Sequence, residues 1–200
     1  MVKTDDWPKA RIFQQKIHDV SYQLCVSSDD YEYQIRLLQH GIRQLRSSLR
    51  HQRPQIPNIK IMIDHLTFAD QTLSDVQKSV EKTMGWKGVI NNHHFEEANA
   101  YLFSILDNGD QLDPSVVREK WRLIMEKWAN RLELLGQHVF DNLNSMEYEL
   151  CNMFEKMNSP NKLEFYSLIY GQLVHLQSWF KKRVKDYTRH LNTMALDNIL

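Results

Sequence analysis

The sequence predicts an all-α protein, elongated and built of antiparallel three-helix bundles that share one long continuous helix. Two observations carry this. From Val117 to Met157 a single apolar stripe, including Val117, Trp121, Ile124, Trp128, Leu132, Leu135, Val139, Leu143 and Met146, advances in steps of three or four with no proline in its way. At 1.5 Å per residue such a helix is about 60 Å long, where an average one has ~11 to 12 residues. Steps alternating near 3.5 mark a seam that packs along partner helices over its whole length. The second observation is the punctuation. Pro8, Pro54, Pro57, Pro114 and Pro160 all fall between periodic segments, and no stretch alternates with the period of a strand.

Taken in order, Phe13, Ile17, Val20 and Leu24 open a first helix, up to a polar stretch at Ser27, Ser28, Asp29 and Asp30. Asp29 with Glu32 reads as a capping box that starts a second helix through Tyr31, Ile35, Leu38, Ile42, Leu45 and Leu49. The strict seven-residue spacing of Ile17, Leu24, Tyr31, Leu38 and Leu45 supports the alternative, one helix running straight through. Pro54 and Pro57 force a stop. A third helix follows from Ile59 through Ile63, Leu66, Ala69, Leu73, Val76 and Val80 toward Met84. After a glycine-containing loop at Gly85 and Gly88, Phe95, Ala98, Leu102, Ile105, Gly109 and Leu112 give a shorter fourth one. Asp113 then serves as N-cap and Pro114 as first residue of the long fifth helix. Asn158 to Asn161 form the next turn, and a last stripe runs from Leu163, Tyr166 and Tyr170 through Leu173, Leu176, Phe180, Val184, Tyr187 and Leu191 to Met194.

With 42% hydrophobic residues, the 200-residue chain can bury a core, and its 25 basic residues balance 25 acidic ones, so no net charge draws it to nucleic acid. Two cysteines, Cys25 and Cys151, no glycosylation sequon, no apolar run of about 18 residues and no exported leader imply a cytoplasmic chain with free thiols.

Trp121 and Trp128, seven apart on the seam with Ile124, Leu132 and Leu135, read as core, each burying on the order of 150 to 250 Å². His93, His94, Glu96 and Glu97 gather metal-capable groups but not at the one-face spacing a helix-borne site needs, and they read as the first turn of a helix. His65, His138 and His175 are scattered singles. No nucleophile elbow or phosphate-cradling loop occurs, so neither an enzyme nor a cofactor is expected. The candidate site is a basic stripe. Arg36, Arg43, Arg46, Arg50 and Arg53 recur along one flank, with no acidic residue between Tyr33 and Ile63. Lys181, Lys182, Arg183, Lys185 and Arg189 make a second cluster. Such stripes are either solvated helix faces or docking surfaces for acidic protein or for anionic lipid, where each charge contributes about 1 kcal/mol.

Gly109, Asp110, Gln111 and Leu112, followed by Arg118 to Leu135, resemble the second and third helices of a spectrin repeat, with Trp121, Leu123, Ala129 and Arg131 at that family's positions. This strong part covers about a quarter of the chain. Ile59 to Val80 lacks the family's tryptophan, the fourth helix is short, and Gly136 interrupts the long one at a cost of up to about 1 kcal/mol. The resemblance implies a preceding partial repeat over 1–53, a central three-helix repeat over 57–138 and a partial following repeat over 139–200, in a chain that is a fragment of something longer. It further implies a non-enzymatic spacer and protein-interaction scaffold, cytoplasmic and cytoskeleton-associated, like the repeats of cytoskeletal linkers or of Dbl-like and Trio-like Rho guanine nucleotide exchange factors. The alternative is a dimeric membrane-binding module resembling a BAR domain, with the two basic stretches facing anionic lipid.

Overall fold

The computed structural model describes residues 7–52, 57–84, 97, 98, 100, 101, 104 and 113–196, and these are nearly all helix, with no strand among them. The protein is all-α. Helix α1 spans Trp7–His51, α2 Ile59–Met84, α3 Pro114–Glu155, α4 Ser159–Phe165 and α5 Gly171–Leu196. A π-helical turn, Tyr166–Tyr170, lies between α4 and α5. Glu97, Ala98, Ala100, Tyr101 and Ser104 are helical, while Phe95, Leu102, Ile105, Gly109 and Leu112 of the expected fourth helix lie outside the described residues, as do His93, His94, Glu96 and Arg53.

The polar stretch at Ser27 to Asp30 does not end a helix, because α1 runs through it for 45 residues. Ser27 and Ser28 are buried, and the Tyr187 hydroxyl meets Ser27 Oγ at 2.5 Å while donating to the Gln23 carbonyl at 3.1 Å. A phenol has one proton and a carbonyl can only accept, so the serine is the donor to Tyr187. A satisfied hydroxyl belongs inside a helix pair, and the capping box read from Asp29 and Glu32 is simply one turn of α1.

At the other boundaries the local chemistry is legible. Asn58 takes a left-handed conformation, φ 62°, just before α2. Asp113 Oδ1 accepts from the Ser115 backbone N–H at 2.8 Å and from its hydroxyl at 2.7 Å, which caps α3 and holds the Asp113 carboxyl below the usual range. Asn158, with Pro160 inside the first turn, caps α4 by accepting from Asn161 N–H at 3.0 Å.

Contacts between the helices group the described residues into two compact units, one drawn from Met1–Ser28, Glu81–Leu135 and Arg183–Leu200, the other from Asp29–Val80 and Gly136–Lys182. All four limits fall inside helices, and residues 59–80 of α2 share a unit with 136–155 of α3.

In the first unit Trp121, Ile124, Trp128, Leu132 and Leu135 of α3 are buried, together with Leu24, Ala98, Leu191 and Met194. The Trp121 indole N–H donates to the Met194 carbonyl at 2.9 Å. Lys120 lies over the Tyr101 ring, 4.5 Å from its centroid.

The second unit has four helical segments in a ring. Arg43 of α1 pairs with Asp70 of α2, and His65 and Ser79 of α2 meet Glu149 and His138 of α3. Glu147 of α3 meets Gln177 of α5, and Gln52 of α1 meets Asn161 of α4. Along each contact the numbers rise on one helix as they fall on the next, which is an up-down-up-down bundle. Its core includes Tyr31, Leu38, Leu45, Leu66, Leu73, Val139, Met146, Ile169 and Phe180. Tyr31 packs on Phe180, ring centroids 4.7 Å apart, and burial pushes its phenol pKa up.

One correction concerns the last stripe. Leu163, Tyr166 and Tyr170 fall on the expected buried face, yet they are exposed; Phe165 and Ile169 are buried instead, and from Leu173 onward the expected stripe is the buried one. Three buried positions four residues apart would drift about 80° around an α-helix. The π-helical turn, with its wider repeat, takes up that drift and turns the two tyrosines outward.

Candidate interaction surface

Four of the five arginines read as a stripe fall among the described residues, and three of them are ion-paired. Arg36 pairs with Glu32 one turn back. Arg43 grips Asp70 as a fork, Nε to Oδ2 at 3.0 Å and Nη2 to Oδ1 at 3.1 Å, which raises its pKa above the usual arginine value. Arg46 lies 3.7 Å from the same carboxylate and donates to Thr67 Oγ1 at 3.4 Å. Arg50 is exposed, with no acidic group within ion-pair distance among the described residues. Gln39 donates to the Asp70 backbone carbonyl at 3.4 Å and to Ser74 Oγ at 3.0 Å along the same α1–α2 seam. The acidic partner absent from residues 33–63 is supplied by the antiparallel neighbour, so the stripe is partly neutralised.

The second basic cluster is likewise engaged. Lys181 lies over the Phe140 ring at 5.5 Å, and Arg189 pairs with Asp186 at 2.5 Å. Cys151 is an exposed free thiol whose pKa is raised by partial burial and by the charges of Glu147 and Glu155.

A feature that sequence reading missed lies within the second unit, where α1 passes the π-helical turn. A cleft of about 670 Å³ is lined by Gln44, Ser47, Ser48, His51, Gln52, Glu164, Ser167 and Leu168. At one end α1 and the turn touch backbone to backbone, because Gly41 has no Cβ to hold off the Leu168 carbonyl. At the other end the Gln52 and Asn161 amides exchange two hydrogen bonds, 3.2 and 3.1 Å. The only sequence signal was a glycine, Gly41, inside a helical pattern, which marks either weak helix or close approach.

Among the described residues no group of three His, Cys, Asp or Glu side chains could hold a metal ion, and no helix is long and apolar enough to cross a membrane. No protein-family model, no curated protein and no solved structure matches the chain. The fold and the geometry of these surfaces therefore carry the functional argument alone.

Proposed function

We propose that this chain is a non-enzymatic helical scaffold, a spacer that holds protein partners at fixed positions along coupled helices. The observation that supports it most is helix length: α1 runs 45 residues and α3 runs 42 without a break, each with its buried positions in steps of three or four. Helices packed along a continuous seam transmit position, and neighbouring bundles that share a helix are thermodynamically coupled. The likeness of Gly109 to Leu135 to spectrin repeats carries the proposal toward spectrin-like three-helix packing around that stretch, and toward cytoskeletal linkers or Rho exchange factors in the cytoplasm as the setting. The four-helix ring of the second unit is a variation on it.

Partner proteins are favoured over anionic lipid because Arg43 and Arg46 already share Asp70, which leaves less positive charge for a headgroup layer. Sedimentation of the purified chain together with co-sedimentation on phosphatidylserine vesicles tests this. A monomer that stays in the supernatant is expected. A stable dimer pelleting with vesicles at low salt and released at high salt would replace the scaffold by the BAR-like membrane module.

A further inference from the structure

We infer that the cleft between α1 and the π-helical turn is a binding site for a guanidinium group, the arginine side chain of a partner protein. The argument is an inventory of donors and acceptors. Ser48 Oγ spends its proton on Glu164 Oε2 at 3.1 Å, and Ser167 Oγ spends its own on the Glu164 backbone carbonyl at 3.0 Å. His51 Nδ1 lies 2.7 Å from the Ser47 carbonyl, which can only accept, so Nδ1 carries a proton and the lone pair of the uncharged imidazole tautomer is on Nε2. Glu164 Oε1 has no hydrogen-bond partner among the described residues. The cleft thus presents as acceptors a carboxylate oxygen, a hydroxyl lone pair, an imidazole nitrogen and the Gln44 amide oxygen, and as donors only the Gln44 amide N–H groups and the Ser47 hydroxyl, so acceptors outnumber donors and the formal charge is negative.

An acceptor-rich lining selects a donor-rich ligand, and Glu164 is the only formally charged residue in it. A guanidinium, planar and carrying five N–H donors with no acceptor, fits that pattern better than an ammonium or a neutral polyol. The carboxylate is also held ready. Asn158 caps α4 and fixes Asn161, Asn161 exchanges amide bonds with Gln52, Gln52 donates to Ser48 at 3.3 Å, and Ser48 donates to Glu164. Preorganisation of this kind removes ordering cost from binding. The distance from Gly41 to Gln52 along α1, about 16 Å at 1.5 Å per residue, is ample for an arginine side chain. Leu163 and Tyr170, exposed one turn before and after Ser167, give the stem apolar surface to lie on.

The inference rests on the scaffold reading only for the source of the guanidinium, since a partner protein supplies it. The test uses the full chain, labelled with ¹⁵N, and titrates N-acetyl-arginine methylamide against the uncharged isostere N-acetyl-citrulline methylamide. Saturable shifts at residues 44–52 and 161–168 are expected, with the citrulline probe at least tenfold weaker. Glu164→Gln should weaken the arginine probe at least tenfold. Ser47→Trp, which leaves the Gln52, Ser48 and Glu164 bonds in place, should block it, and it decides the matter if Glu164→Gln fails to fold. Equal binding of the two probes, shifts scattered over acidic residues elsewhere such as Glu119 and Glu126, or no shifts at all would overturn the site. Those results would leave the scaffold reading standing, because vesicle binding and dimerisation are what remove it.

Discussion

Gly41 and Leu168 meet with no side chain between them: a Cβ at Gly41 would stand 2.1 Å from the Leu168 carbonyl oxygen and 2.9 Å from its carbon. The obstacle is backbone, which cannot rotate away as a side chain would. A glycine in mid-helix ordinarily costs up to about 1 kcal/mol against alanine, so its presence here is explained by the approach of α1 to the π-helical turn.

Gly41→Ala should therefore destabilise, by about 1 to 3 kcal/mol as overpacking does, even after the gain in helix propensity. Gly171→Ala is the matched control. It has helical backbone, φ −60° and ψ −41°, and open space within 4 Å, so it should stabilise by about 0.4 to 1 kcal/mol. Urea denaturation of both variants reads the signs. The same sign in both would mean that α1 does not approach the turn.

Tyr187→Phe should cost about 1 to 3 kcal/mol, because it strands the buried Ser27 hydroxyl and removes the donor to the Gln23 carbonyl. Ser27→Ala added to it should recover part of that loss. A double-mutant cycle measures the coupling, and two strictly additive losses would show that the hydroxyls do not interact.

Asp70→Asn separates stability from surface charge. Arg43 is more than half exposed, so losing the fork should cost no more than about 1 kcal/mol by thermal denaturation. Arg43 and Arg46 lose their shared counter-charge, and retention on phosphatidylserine vesicles at low salt should rise above that of the parent. Unchanged retention would mean that these two arginines contribute nothing to the surface.

Cys151 gives a pH dependence. The thiolate is the nucleophile, and a raised pKa leaves less of it at neutral pH. In a Cys25→Ser background, iodoacetamide should modify Cys151 more slowly than a free cysteine peptide at pH 7.5. The rate should keep climbing above about pH 8.5, the ordinary thiol value. Glu147→Gln removes one of the charges responsible and should accelerate the reaction at neutral pH. Equal rates for parent and variant would show that Glu147 does not reach the sulfur.

The helices were legible because their signals are local. Spacing of apolar residues located α2, α3 and the α4 to α5 stretch, and Asp113 marked the start of α3 through a side chain that bonds to the backbone two residues ahead. Three things were not local. Whether Ser27 ends a helix depends on Tyr187, 160 positions away. Which stripe of α5 is buried depends on a π-helical turn that no residue type announces. The fate of the arginine stripe depends on Asp70, brought alongside by antiparallel pairing. The cleft is of the same kind, since Ser48 and Glu164 are polar helix residues like any others until the fold sets them 3.1 Å apart.

The last prediction separates packing from hydrogen bonding at one side chain. Trp121 is fully buried, and its indole N–H bonds the Met194 carbonyl of α5 at 2.9 Å. The side chain thus contributes volume to the first unit and a hydrogen bond to the α5 backbone. Trp121→Phe keeps most of the volume and deletes the donor, so it should cost about 0.5 to 1.5 kcal/mol for the lost hydrogen bond. Amide exchange should also speed up around Thr193 to Ala195. Trp121→Ala removes both contributions and should cost about 3 to 5 kcal/mol. Denaturation and hydrogen exchange together distinguish the two. If Trp121→Phe left both stability and exchange at parental values, the indole would be packing alone, and the backbone around Met194 would owe its order to other contacts.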